Sequence, residues 1–117
     1  MSRVGHNTPG NISDGDLEKA LDWLRDNAQA AAHAKAERVY CEEYRKSLKA
    51  VLMKQHAQSA LGVQEREAYA DERYLMHLDK LRTAVFEDER NRALRVAAEL
   101  KIEVWRTQSA NIRALKI

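Results

Sequence analysis

The sequence predicts an all-α fold: a long antiparallel two-helix hairpin, coiled-coil-like, that dimerises into a four-helix bundle. Three observations predict it. No proline or glycine interrupts the chain from Leu17 to Leu61 or from Glu72 to its end. Apolar residues recur along both stretches at steps of three and four, the spacing that keeps one helix face apolar. Between them, Asn27–Ala36 (NAQAAAHAKA) holds six alanines, and alanine combines the best helix propensity with a side chain small enough to let a partner helix approach.

The first twelve residues contain Gly5, Pro9 and Gly10 without periodicity, which predicts a flexible tail over 1–12. A single helical domain is expected over 13–117. Its first helix starts near Asp14, because Ser13 and Asp16 have the spacing of a capping box and Ile12 and Leu17 that of a hydrophobic staple. The acids of that first turn also suit the positive end of the helix dipole. The helix is expected to run to residue 61, where Gly62 takes the C′ position with Val63 packing back behind it. A corner over 62–71 follows, with Asp71 as the N-cap of a second helix over 72–113.

The expected seam on the first helix is Leu17, Leu21, Leu24, Ala28, Ala31 or Ala32, Ala36, Val39 or Tyr40, Tyr44, Leu48, Val51 and Leu52. Its later steps are mostly four, which drifts from a heptad toward an eleven-residue repeat. On the returning helix the seam is Tyr74 or Leu75, Leu78, Leu81, Val85, Ala93, Val96 or Ala97, Leu100 and Val104. In an antiparallel hairpin the numbers of facing residues sum to a constant. Val51 with Leu81, Leu48 with Val85 and Val39 with Ala93 give 132 or 133. Charge agrees with that register. Residues 14–26 carry five acids and two bases, opposite a C-terminal segment, 101–117, with four bases and one acid.

A second apolar stripe is left over on each helix. Phe86, Leu94, Ala98, Ile102 and Trp105 form it on the second, with Trp23 and Leu52 on the first. Water-exposed stripes of that length forfeit about 25 cal/mol for each Å² that burial would remove from solvent. A second copy of the chain covers them most simply, which is the basis for a twofold dimer.

The segments AERVYCEEYRKSLKAVLMK, QEREAYA and IEVWRTQSANIRAL are similar to those of short helical proteins encoded in tailed-phage and prophage genomes. The resemblance covers roughly 14–117. It implies a phage origin, with DNA replication or recombination as a setting, and it assigns no functional residue.

Chemistry is sparse in the sequence. The single cysteine, Cys41, excludes an intramolecular disulfide and fits a small packing residue better than a nucleophile. His33 and Glu37 stand four apart, but two ligands make a poor metal site, and the spacing of a di-iron bundle is missing. No phosphate-binding loop, nucleophile elbow or dinucleotide fingerprint occurs. The expectation is therefore a protein without enzymatic activity, cofactor or metal. Tyr40 and Tyr44 are expected beside Asp88, Glu89 and Arg92 in a polar layer that fixes register. No apolar run approaches the length of a membrane span, so a cytoplasmic location in the host cell and no membrane partner are expected.

A net charge of +2 implies no polyanion partner by itself. Locally, Arg38, Arg45, Lys49 and His56 recur at seven, four and seven, flanked by Lys46 and Lys54. That face has the form of a stripe tracking a phosphate backbone. Two functions follow: a non-catalytic interaction protein (adaptor, inhibitor or accessory factor) for a host or phage protein, or an accessory factor that binds nucleic acid without sequence specificity.

Overall fold

The computed structural model describes residues 11–116. The expected tail over 1–12 lies outside them except for its last two residues. Three helices make up the fold among the described residues: α1 (Asp14–Lys54), α2 (Leu61–Ala70) and α3 (Glu72–Leu115). The all-α class is as the sequence reads. Where the sequence predicts one domain, the chain divides into two compact units, one combining the residues up to Gln29 with those from Arg92 onward, the other being Ala30–Asn91.

In the first unit, α1 starts at the expected place and by the expected device. The Ser13 N–H donates to Asp16 Oδ2 at 3.1 Å, and the Asp16 N–H donates back to Ser13 Oγ at 3.0 Å. Two otherwise orphaned donors are thereby satisfied. The first segment of α1 lies antiparallel to the last segment of α3. Ala20 and Ala98 are buried in that contact, with Leu17, Leu24, Ile102 and Trp105 half-buried around them. Two small residues at the centre let the backbones come close.

In the second unit, α1 ends at Lys54, seven residues before the expected stop. Its last turn tightens through three-residue hydrogen bonds, Gln55 N–H to Leu52 O and His56 N–H to Met53 O. Gln64 Nε2 then donates to the Ser59 carbonyl at 2.8 Å and helps fix the turn. Gly62 is not a helix stop: it sits in the first turn of α2, with open space where a Cβ would stand. The expected corner is thus a ten-residue helix that belongs to the return. Asp71 has extended backbone (φ −66°, ψ 136°), ends α2 and caps α3 by accepting from the Arg73 N–H at 2.8 Å. Leu52, Ala68 and Tyr74 form a buried cluster from all three helices, with Leu48 and Met53 packed on it.

Because α2 begins the return, the register differs from the expected one. Contacts in the second unit pair Cys41 and Tyr44 with His77, Lys49 with Tyr69, and Arg38 with Asp88 and Glu89, whose numbers sum to 118–127. In the first unit Ile12 pairs with Gln108 and Asp14 with Trp105, summing to 119–120. The expected sum of 132–133 is off by about one to two heptads. A seven-residue repeat superposes on itself after such a slide, so apolar matching alone cannot choose between the two registers.

The seam itself is a strict alternation of three and four. In the second unit it runs Ala31, Ala34, Arg38, Cys41, Arg45, Leu48, Leu52 on α1 and Tyr74, His77, Leu81, Ala84, Asp88, Asn91 on α3, each of them buried or half-buried. The expected drift toward an eleven-residue repeat does not occur. Several residues placed in the seam by sequence are exposed instead, among them Val51 at 55% and Leu100 at 58%. Leu52 (1%), placed by sequence both in the seam and in the partner-facing stripe, is buried within the chain; Ala98 (6%), assigned to that stripe alone, is buried too, and Trp23, Ile102 and Trp105 are half-buried. Of that stripe, Phe86 and Leu94 stand exposed.

Candidate functional site

The polar seam residues of the second unit are its most distinctive chemistry. Arg38 Nε donates to Glu42 Oε2 at 3.2 Å, one turn along α1, and Nη1 donates across to Asp88 Oδ2 at 3.1 Å and Glu89 Oε2 at 2.8 Å on α3. Three carboxylates around one guanidinium hold its pKa above the ordinary arginine value, Glu42 contributing most, then Glu89 and Asp88. Asp88 is itself buried, so this cation satisfies a charge that is costly to leave unpaired.

About one turn along α1, His77 Nε2 lies 2.7 Å from the Cys41 carbonyl oxygen. A carbonyl only accepts, so Nε2 carries the proton in this contact. The Tyr44 ring meets the imidazole edge-on at 5.1 Å, and Tyr40 stacks on Tyr44 at 5.9 Å. The polar layer expected from the sequence therefore exists with different members. Tyr44 faces His77, and Arg38 takes the acids that the sequence places beside the tyrosines.

Cys41 is buried, and burial followed by the negative charge of Glu37 pushes its thiol pKa up. A thiol held protonated is a poor nucleophile. His33 is exposed, and no group of three or more His, Cys, Asp or Glu is placed to hold a metal among the described residues.

The basic stripe read from the sequence divides in two. Arg38 is in the seam network, Lys46 Nζ stands 3.3 Å from Glu43, and Lys49 Nζ stands 3.3 Å from Glu65. Lys49 also lies over the Tyr69 ring, 4.6 Å from its centre, and Tyr69 and then Glu65 raise its pKa. Arg45 and His56 are half-buried and Lys54 is exposed. These three have no carboxylate within ion-pair distance among the described residues.

Apolar surface is the other candidate. On α3 within the second unit, Leu75, Met76, Leu78 and Phe86 are exposed, Phe86 at 62%. Two ion pairs lie among them, Arg82 with Asp79 at 3.1 Å and Arg90 with Glu87 at 3.8 Å. The first unit exposes Leu94, Val96 and Leu100 on α3.

Two contact residues escape a reading based on hydrophobicity. His77 falls on the three-four spacing set by Tyr74, Leu81 and Ala84, so a strict heptad count finds it. Gln108, whose side chain bonds the Ile12 main chain in the first unit, is marked by no sequence signal. No helix of the described residues is long and apolar enough to cross a membrane. No protein-family model matches the chain, and no curated protein or solved structure is similar to it.

Proposed function

We propose that this chain is a phage-encoded, non-catalytic helical interaction protein that works as a homodimer in the host cytoplasm, two copies forming a four-helix bundle through the exposed face of α3. In that role it is an adaptor, inhibitor or accessory factor for a host or phage protein. The observation that carries the reading is the exposed set Leu75, Leu78 and Phe86 on a helix whose opposing seam is already filled. A rim of locally neutralised pairs lets like surfaces meet without repulsion, and burying the set stabilises the pair by about 25 cal/mol for each Å² removed from water.

Light scattering at tens of micromolar is expected to give twice the chain mass. Replacing Leu78 and Phe86 together by Glu is expected to give the chain mass with helicity retained. A fully helical monomer in the unaltered chain overturns the dimer.

The alternative, a nucleic-acid-binding accessory factor in phage replication or recombination, has less support. Three of its six basic residues already hold carboxylates.

A further inference from the structure

Along α3, Leu75, Asp79, Arg82 and Phe86 follow one another at steps of four, three and four. That spacing keeps them on one helix face, and all four are exposed, turned away from the buried Tyr74, His77, Ala84 and Asp88. The helix thus carries a second seam, and its charges are a matched pair, Arg82 Nη2 standing 3.1 Å from Asp79 Oδ1. Two copies of such a seam meet in one of two directions. Parallel, each residue faces itself, so Asp79 meets Asp79 and Arg82 meets Arg82. Antiparallel, with facing numbers summing to 161, Leu75 meets Phe86 and Asp79 meets Arg82 in four consecutive layers. Residues flanking an antiparallel seam pair at two more and two fewer, which sets Leu78 against Val85 at 163 and Met76 against Thr83 at 159. This one register uses every large apolar residue that α3 exposes within the Ala30–Asn91 unit. A slide of one heptad either way sets Asp79 against Glu89 or against Leu75. Beyond the four layers Glu72 faces Glu89, which ends the match.

We infer that the second copy, whose presence rests on the dimer proposed above, docks antiparallel along α3 in the register that sums to 161, so that the Asp79–Arg82 pairs of the two chains close into a ring of four alternating charges on the twofold axis. Each contact of that interface occurs twice, as a twofold axis requires. Exposed ion pairs add little affinity. Their effect is selective: the parallel direction drives like charges together, and the shifted offsets either do the same or set a charge against an apolar side chain. Leu75 and Phe86 supply the burial, and Asp79 and Arg82 fix direction and offset.

Cross-linking reads the register. Full chains carrying Leu75→Cys or Phe86→Cys are oxidised mildly, alone and mixed, with the buried Cys41 common to all of them. The mixture is expected to form disulfide-linked dimers at least about tenfold faster than either chain alone, because the register brings position 75 to position 86 of the second copy and leaves like positions about three turns out of step. Charge reversal reads the ring. Asp79→Lys and Arg82→Glu, both at exposed positions, are expected to keep their helicity and each to weaken self-association at least about tenfold, whereas the two mixed together are expected to recover the parent's dimer affinity in light scattering. If the unaltered chain is a monomer, the dimer and its register fall together. If it dimerises but Leu75→Cys links best to itself, or either charge variant dimerises as the parent does, or the mixed variants fail to pair, the antiparallel register alone is overturned.

Discussion

His77 on α3 donates through Nε2 to the main-chain carbonyl of Cys41 on α1, 2.7 Å away and buried. The bond ties a side chain of one helix to the backbone of the other, so it selects a single offset between them. Replacing His77 by Leu keeps much of the volume and removes the donor, and a loss of about 1 kcal/mol is expected in urea denaturation. Tyr40→Leu, on an exposed ring, is expected to stay within about 0.5 kcal/mol. Equal effects of the two changes would refute the peg.

Leu52 and Val51 are neighbours with opposite surroundings, Leu52 at 1% exposure among Ala68 and Tyr74, Val51 facing solvent. Leu52→Ala is expected to cost about 2–4 kcal/mol because it empties the three-helix cluster. Val51→Ala is expected to cost under about 0.5 kcal/mol. A large loss at Val51 would restore the register that sums to 132–133.

Acid stability follows from two helix caps. Asp16 is held below the usual carboxylate value first by the Ser13 N–H and then by its hydroxyl. The Arg73 guanidinium, followed by its N–H, does the same for Asp71. A carboxylate whose folded value lies below its unfolded one contributes fully above the unfolded value, and that contribution disappears as pH falls through the folded value. Stability from these caps is thus expected to be level from neutral pH to about 5 and to decline below about 4. Asp71→Asn should flatten part of the decline. Identical profiles for variant and parent would exclude Asp71 as a contributor.

Salt dependence tests the basic residues. With Arg38, Lys46 and Lys49 occupied by carboxylates, Arg45 and Lys54 are left for phosphate contact. Each neutralised phosphate adds about −0.9 to the slope of log K against log salt, so binding to duplex DNA is expected to be weak with a slope no steeper than roughly −2. A slope of −4 would require the pairs to open and would revive the nucleic-acid reading.

The helical class, the start of α1 and its capping box, and the capping of α3 by Asp71 were all legible in residue type and spacing. These are local features, decided by side chains a few positions apart. The seam was legible only in its apolar members, such as Leu48, Leu52, Tyr74 and Leu81, and not in its polar ones. Val39, Val51, Leu78 and Leu100 are more apolar than Arg38, Arg45, His77 and Asp88, so hydrophobicity ranks the exposed set first. What puts Arg38, His77 and Asp88 inside is mutual satisfaction: Arg38 with three acids, Asp88 among them, and His77 with a carbonyl. Apart from the Arg38–Glu42 pair within α1, these contacts are between helices and have no signature along one of them. The turn was misplaced for a related reason. Gly62 carries the composition of a helix stop, whereas Gln64 and the buried Leu52 and Ala68, all of ordinary helix-forming type, set the actual reversal.

The buried thiol of Cys41 has a practical consequence. Because the chain has one cysteine, every molecule that reacts with a thiol reagent has reacted at the same point in the Ala30–Asn91 unit. Closed, the residue is 1% exposed and its thiol pKa is raised by burial. Labelling therefore has to wait for that unit to part, and its rate in native buffer reports the open population, or the opening rate itself once reagent is concentrated enough to outpace reclosing. The protein carries its own clock for the motion of one of its halves, readable by mass spectrometry without any substitution.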